Sequence, residues 1–417
     1  MAKNQQKQVV DPKCDLKKIL KYQNLITCLI LLSISCSTEN PSARIPEMPT
    51  AIEECEFSLD DIASNISFIP LSSRELMQSI MEVKYFEPYF HIKTKDQKLY
   101  RFQKDGRLLD ILYKCGRGPE EYMAINNFHA DSEGNVIINT ATEKRQMIYN
   151  NQLKFKQSIS YPEGLDESYA YWINDKSIFF PLSIGKPMEY DWLRVDDEGG
   201  IIADKRYHDP GIRITFSNSA SLLVFGIGDS LYRYRETSDT IFKIYRDGFE
   251  PIYTINRMFD DGLRMLTIEE VTRDITNLAE LTPIVSREGK RRIQNIFDLG
   301  SNWIIHYRSE KYETVLFNRK ENKFYLIASD IKSLPKLYND FTGASDFCIK
   351  GIIEMEDCRY LLSYIDAYEF LNLTKSKEFS NGTPLLPLKK KEMKALADTI
   401  SEDDNPVLIL LKLKEDI

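Results

Sequence analysis

The chain has 417 residues, 42% of them hydrophobic, 28% charged and 11% aromatic, with a formal net charge of −8. That balance belongs to a globular protein with ample material for a core, and it excludes a disordered or collagen-like chain. It also argues against nucleic-acid binding, which needs a concentrated basic face: Lys389-Lys390-Lys391 and Lys290-Arg291-Arg292 are short runs and read as solvated ends.

In chain order, the amino terminus is an address. Lys17, Lys18 and Lys21 precede the apolar run Leu25 to Ser35. This is the n-region and h-region order of an export signal, and it is too short for a comfortable membrane span. The run closes with Leu32-Ser33-Ile34-Ser35-Cys36. Small residues followed by cysteine resemble the lipobox of bacterial lipoproteins, which implies lipid attachment at Cys36; an ordinary cleaved signal or a short anchor helix is the alternative. Residues 37–56, polar and proline-bearing, are expected to form a flexible tether. Residues 57–417 are expected to be one domain. Outside the leader, Cys55, Cys115, Cys348 and Cys358 show neither a CxxC pair nor a histidine at metal spacing, so free, mostly buried thiols are expected.

From Phe57 onward, short apolar runs alternate with turn residues. Ile66 to Leu71, with Pro70 near its end, suits an edge strand. Val83 to Thr94 supplies two strands broken at Glu87-Pro88. Leu99 to Phe102 and Leu108 to Leu112 flank Lys104-Asp105-Gly106-Arg107, and Asp-Gly between apolar runs is a hairpin signal because glycine takes the positive φ the turn demands. The same grammar recurs around Gly134, Asn174-Asp175, Gly199-Gly200 and Gly248. It continues through Trp303 to Tyr307, Thr314 to Asn318, Phe324 to Ala328, Gly351 to Met355, Arg359 to Tyr364 and the closing run Val407 to Leu413. Two segments break the rhythm. Thr267-Ile268-Glu269-Glu270 is a capping box followed by apolar residues at helical spacing. Met393 to Ile400 is a second short helix.

A meander of hairpins without βαβ spacing means antiparallel sheet. So many strands in one flat sheet would expose unpaired edges, whereas small sheets repeated around an axis leave only short ones. The expected fold is therefore all-β, a six-bladed β-propeller of four-stranded antiparallel blades with a short inserted helix and a short C-terminal helix. Six blades give about 60 residues each, and counting alone leaves five or seven open. A last strand entering from the carboxyl end would pair beside the chain-start strands and shut the ring.

Gly116-Arg117-Gly118-Pro119-Glu120-Glu121-Tyr122, then Ile125, Phe128, Asp131 and Gly134-Asn135-Val136-Ile137, resembles an element of bacterial six-bladed β-propeller lipoproteins related to the NHL-type propellers. Asn65 to Leu71, Asp239 to Ile244 with Pro251, Ser363 to Tyr368 and Asp404 to Leu408 fit the same family in order. One departure is Glu120, where the family has glycine. The resemblance implies an exported, lipid-anchored outer-membrane protein facing the periplasm or the surface, and no agreed activity.

The chemistry points the same way. Only four histidines exist, His91, His129, His208 and His306, and no GxSxG elbow, HExxH pair or EF-hand loop appears. No catalytic residue, metal ligand or cofactor is therefore expected. Arg117 is the first candidate to meet a ligand at the channel mouth, with Glu121, Tyr122 and His129 beside it. The expected role is a monomeric binding or scaffold protein for a peptide, glycan or envelope protein. The alternative is a lyase or hydrolase acting on oligosaccharides or esters in the central channel.

Overall fold

A computed structural model describes residues 47–415 except 50, 141, 163–164, 166, 174–175, 183–189, 197, 207–222, 228–229, 236–239, 246–247, 256–291 and 309. The export run, Cys36 and the helix expected after Thr267 lie outside the described residues.

The described chain opens with β1 (Glu47–Met48), β2 (Ile52–Glu54), α1 (Leu59–Ile62) and β3 (Ala63–Pro70). Five antiparallel sheets follow in sequence. The first is β4 (Ile80–Phe86), β5 (Tyr89–Thr94), β6 (Leu99–Gln103) and β7 (Leu108–Leu112). The second is β8 (Asn127–Ala130), β9 (Val136–Thr140), β10 (Arg145–Tyr149) and β11 (Phe155–Ser160). The third is β12 (Glu167–Ile173), β13 (Lys176–Leu182), β14 (Tyr190–Val195) and β15 (Ile201–Arg206). The fourth is β16 (Leu223–Ile227), β17 (Ser230–Arg235), β18 (Thr240–Tyr245) and β19 (Gly248–Ile255). The fifth is β20 (Arg292–Asp298), β21 (Asn302–Arg308), β22 (Tyr312–Asn318) and β23 (Lys323–Asp330).

A hairpin, β24 (Leu337–Asn339) and β25 (Ala344–Phe347), separates the fifth sheet from the sixth. The sixth holds β26 (Gly351–Met355), β27 (Cys358–Ile365), β28 (Val407–Leu413) and, from the other end of the chain, β3. Between β27 and β28 lie α2 (Ala367–Lys375), α3 (Lys377–Asn381) and α4 (Pro387–Ala397). The molecule is thus an all-β propeller of four-stranded antiparallel blades with a few short helices. Among the described residues no helix is long and apolar enough to cross a membrane.

Neighbouring sheets share cores, except that no common apolar cluster joins the second to the third among the described residues, and the period-2 alternation of strands decides which side chain goes where. In β28, Val407, Ile409 and Leu411 pack toward the fifth sheet and the helices. Leu408 and Leu410, on the opposite face, pack toward the first sheet. Likewise Trp303, Ile305 and Tyr307 of β21 join the fourth sheet, while Ile304 joins the sixth. A strand buried on both faces needs no polar alternation, which is why β28 reads VLILLKL. β28 runs antiparallel to β3, with Val407 opposite Pro70 and Lys412 opposite Asn65, so the two chain ends complete one sheet.

Several details depart from expectation. Within the stretch expected as a tether, β1 adds in parallel to β19 and β2 to β23, each as a fifth strand. The C-terminal helix begins at Pro387, not Met393, and α2 and α3 precede it. The thiols are less buried than expected: Cys55, Cys348 and Cys358 are half-buried, and Cys115 is exposed. Glu120 lies outside the positive-φ residues, so the family's glycine position carries no strain here.

Candidate functional site

The crossing loop that supplied the first candidates is tied to itself. Glu121 Oε2 accepts from the Gly118 N–H at 2.8 Å. A Cβ built on Gly116 would meet the same oxygen at 2.0 Å, so glycine there makes room for the carboxylate. Arg145 of β10 donates to the carbonyls of Gly118, Pro119 and Glu121 at 3.2, 3.0 and 2.9 Å. Tyr122 is fully buried, and its hydroxyl donates to Gln97 O at 3.0 Å and Leu112 O at 3.2 Å. Burial raises the Tyr122 pKa, so the ring acts as a neutral peg under the loop. Arg117 alone of these points outward, exposed.

His129 sits on β8, the first strand of its sheet, away from that loop. First strands meet one another around the axis, β8 against β12, β16 against β20, and β26 against both β20 and β4. His129 stacks on Trp172 of β12 with centroids 5.0 Å apart and meets the edge of Phe86 of β4 at 5.0 Å. His91 and His306 are buried, and desolvation pushes both pKa values down to about 4, with Arg101 adding to the effect on His91 and Lys350 on His306. At neutral pH these two are uncharged packing groups. The structure therefore does not bring Arg117, Glu121, Tyr122 and His129 together as one site.

A cleft of about 460 Å³ opens elsewhere, where the start of β22, the linker after β23, β25, β27 and α2 meet. Asp346 forms part of its wall and is only 3% exposed. In the β24–β25 hairpin Asn339 is directly opposite Ala344, and a register shift between Ser345 and Phe347 leaves Asp346 as an unpaired bulge residue that is turned inward. Neither carboxylate oxygen of Asp346 has a hydrogen-bond partner of ordinary geometry. Burial pushes its pKa up to about 7, against the opposing pull of the adjacent Asn339 carboxamide and of Lys336. Near neutral pH the group is split between acid and carboxylate, so it can both donate and accept a hydrogen bond.

The rim is cationic. Lys332, Lys336 and Lys350 line the cleft. Lys336 pairs with Glu369 of α2 at 3.5 Å, both side chains half open to water, a contact of little energetic weight. Lys350 lies 5.5 Å above the Tyr364 ring, whose hydroxyl is turned away to Ile80 O at 3.3 Å. Burial pushes the Cys348 thiol up despite the nearby lysines, leaving it a weak nucleophile. Sequence reasoning missed these residues. Asp346 left no periodic trace in the sequence, because it sits at a bulge in its strand.

Over residues 45–412 the chain matches a family described as a domain of unknown function, DUF4934. A Bacteroides fragilis protein described as exported has the same fold at 13% identity, covering 87% of this chain and 98% of its own, with a TM-score of 0.59. A member of the DUF4221 family from Bacteroides vulgatus is 10% identical and covers 84% and 97%, at 0.48. A virginiamycin B lyase from Staphylococcus aureus, also 10% identical, covers 83% and 99%, at 0.39. Only the first of these three is near enough to show the fold. A search of the curated proteins found no match. The DUF4934 match spans nearly the whole described propeller, from β1 to the end of β28, and the chain belongs to that family.

Proposed function

We propose that this protein is a lipid-anchored binding protein of the cell envelope, a closed ring of six blades that takes a small ligand in the cleft beside Asp346. Acylation at Cys36 would hold the ring at the outer membrane, and the bound partner would be a glycan, a peptide or part of an envelope protein. The six-blade count rests on six sheets built on four antiparallel strands among the described residues, two of them with an added parallel strand.

The observation that carries the binding reading is Asp346. A buried carboxylate without well-formed hydrogen bonds is costly, and such groups occur where a ligand or another function accounts for them. The channel reading as a lyase or hydrolase asked for histidines and carboxylates converging on the axis. His129 there is packed between Phe86 and Trp172, and the proton chemistry of His91 and His306 is suppressed by burial. Among the described residues these placements favour binding over turnover; His208 lies outside them.

Cys348 reports on the cleft, because it lines it. Alkylation of Cys348, followed by peptide mass spectrometry with the exposed Cys115 as internal reference, is expected to slow at least fivefold when a soluble envelope extract is added. An unchanged Cys348-to-Cys115 rate ratio contradicts the reading. The anchor has its own assay: radiolabelled palmitate is expected to enter the wild-type chain and not Cys36→Ser.

A further inference from the structure

We infer that the cleft takes a small anion bearing hydroxyl groups, of the sugar-acid or sugar-phosphate class, with its acidic group held by Lys350 and Lys332 and one hydroxyl on Asp346. The inference rests on the binding reading above and narrows it to a ligand chemistry.

Two features of the cleft act together. The first is charge. Lys350 has no carboxylate within ion-pair reach among the described residues, and its nearest recorded neighbour is the face of Tyr364. Its field is felt by His306 and Cys348, neither of which offers it a negative charge at neutral pH. Lys332 lies on the same rim beside Asp330, whose carboxylate accepts from the backbone N–H groups of Lys332 and Ser333 and also feels the Lys332 charge. Glu369 is the other carboxylate on the wall and is paired with Lys336. Lys350 therefore leaves the rim with cationic charge to spare, which rejects an ammonium ligand and favours an anion. Lysines act as compact, mobile point charges, so the site asks for an acidic group without requiring the planar fork an arginine would impose.

The second feature is Asp346. An acidic group brought directly against it would meet its partial negative charge. A hydroxyl meets it without penalty, because a hydroxyl can donate to the carboxylate form and accept from the acid form. Ser363, 1% exposed at the same wall, adds another group of that kind. An anion alone satisfies the lysines and leaves Asp346 without a partner; a neutral sugar does the reverse. Only a ligand with both groups answers both. A volume of about 460 Å³ is within the usual range for small-molecule sites and accommodates a single sugar ring with its acidic substituent.

The test is isothermal titration of the mature chain with D-glucuronate, glucose 6-phosphate, glucose, acetate and inorganic phosphate. At least one of the first two is expected to bind tenfold or more tighter than each of the last three, and the better of the pair identifies the acidic group. Lys350→Gln is expected to weaken that binding about tenfold, the usual scale for loss of one charge-assisted contact. Asp346→Ala is expected to bring glucuronate and acetate within threefold of each other. Should that variant fail to fold, Lys332→Gln and Lys350→Gln, both at exposed positions, carry the test. Glucose binding as tightly as the anions overturns the inference, as does an unaltered affinity in Lys350→Gln. Slowed alkylation of Cys348 by envelope extract, with no response to any of the five probes, overturns the ligand class and leaves the binding reading standing. Loss of both responses overturns both.

Discussion

Asp346 carries a cost that its surroundings do not relieve. Its pKa, near 4 in an unfolded chain, stands at about 7 in the fold. The folded state thus binds a proton more tightly, and between about pH 4 and pH 7 this group's contribution to stability falls as pH rises. Asp346→Asn is expected to raise the thermal midpoint by several degrees at pH 8 and to change it little at pH 4, measured by calorimetry. His91 and His306 act in the opposite direction. Their pKa values are depressed to about 4, so the stability they contribute is complete above about pH 6.5 and is lost on acidification toward 4. Comparing the variant with wild type at each pH cancels that histidine contribution.

At the same scale, Asn405 joins the end of the chain to its start. Its Oδ1 accepts from Met77 N at 2.8 Å, and its Nδ2 donates to the carbonyls of Ser72 and Glu75, each at 2.8 Å. Asn405→Ala removes three hydrogen bonds to half-buried or exposed backbone groups and is expected to cost about 1–3 kcal/mol in denaturant unfolding. Gly106 guards the same junction with φ +83°, and a Cβ there would meet the Pro70 carbonyl at 2.1 Å. The Asp-Gly pair disclosed the turn in advance. That the turn presses on β3, some 36 positions earlier by the numbering of Pro70 and Gly106, is a tertiary fact no local pattern carries. Tyr122 shows the limit most plainly: an aromatic in a Gly/Pro loop looks the same in sequence whether it meets a ligand or, as here, plugs the space beneath.

Among the elements, β28 bears the most. Leu410 belongs to the core shared with the first sheet, while Ile409 and Leu411 serve the fifth. Leu410→Ala is expected to destabilise by about 2–5 kcal/mol, the range for deleting a fully buried leucine, read from the shift in urea midpoint at constant m. Elements bounded by glycine turns were legible, β6 and β7 around Gly106 and β8 and β9 around Gly134. Strands around other turns, such as β22 and β23, were legible from their apolar runs, but the helices between β27 and β28 were less so. α2 follows β27 directly, and its apolar positions Ala367, Phe370 and Leu371 have helical spacing, but the aromatic run Tyr364-Ile365 into Tyr368 reads as strand. Pro387 in the first turn of α4 was an available start signal. The β24–β25 hairpin hides behind Pro335 and the turn at Gly343, whose Cβ would collide with Gly382 at the end of α3, a contact that no local pattern shows.

The whole molecule depends on a sheet assembled from both chain ends. A chain ending at Asp404 lacks β28, which unpairs β3 and opens the cores against both neighbouring sheets. It is expected to partition into the insoluble fraction or to lose its cooperative thermal transition, and a soluble, cooperatively folding product would contradict closure. The architecture was readable because antiparallel grammar and edge protection leave few alternatives at this length. The cleft was not, because it is made from five elements between Tyr312 and Glu369 that only tertiary packing brings together. The most direct measurement is a crystal structure of the protein purified from its native envelope. The account predicts ligand density spanning Asp346 and Lys350, with an acidic group toward the lysine; density confined to the central channel, with the cleft holding only solvent, would contradict it.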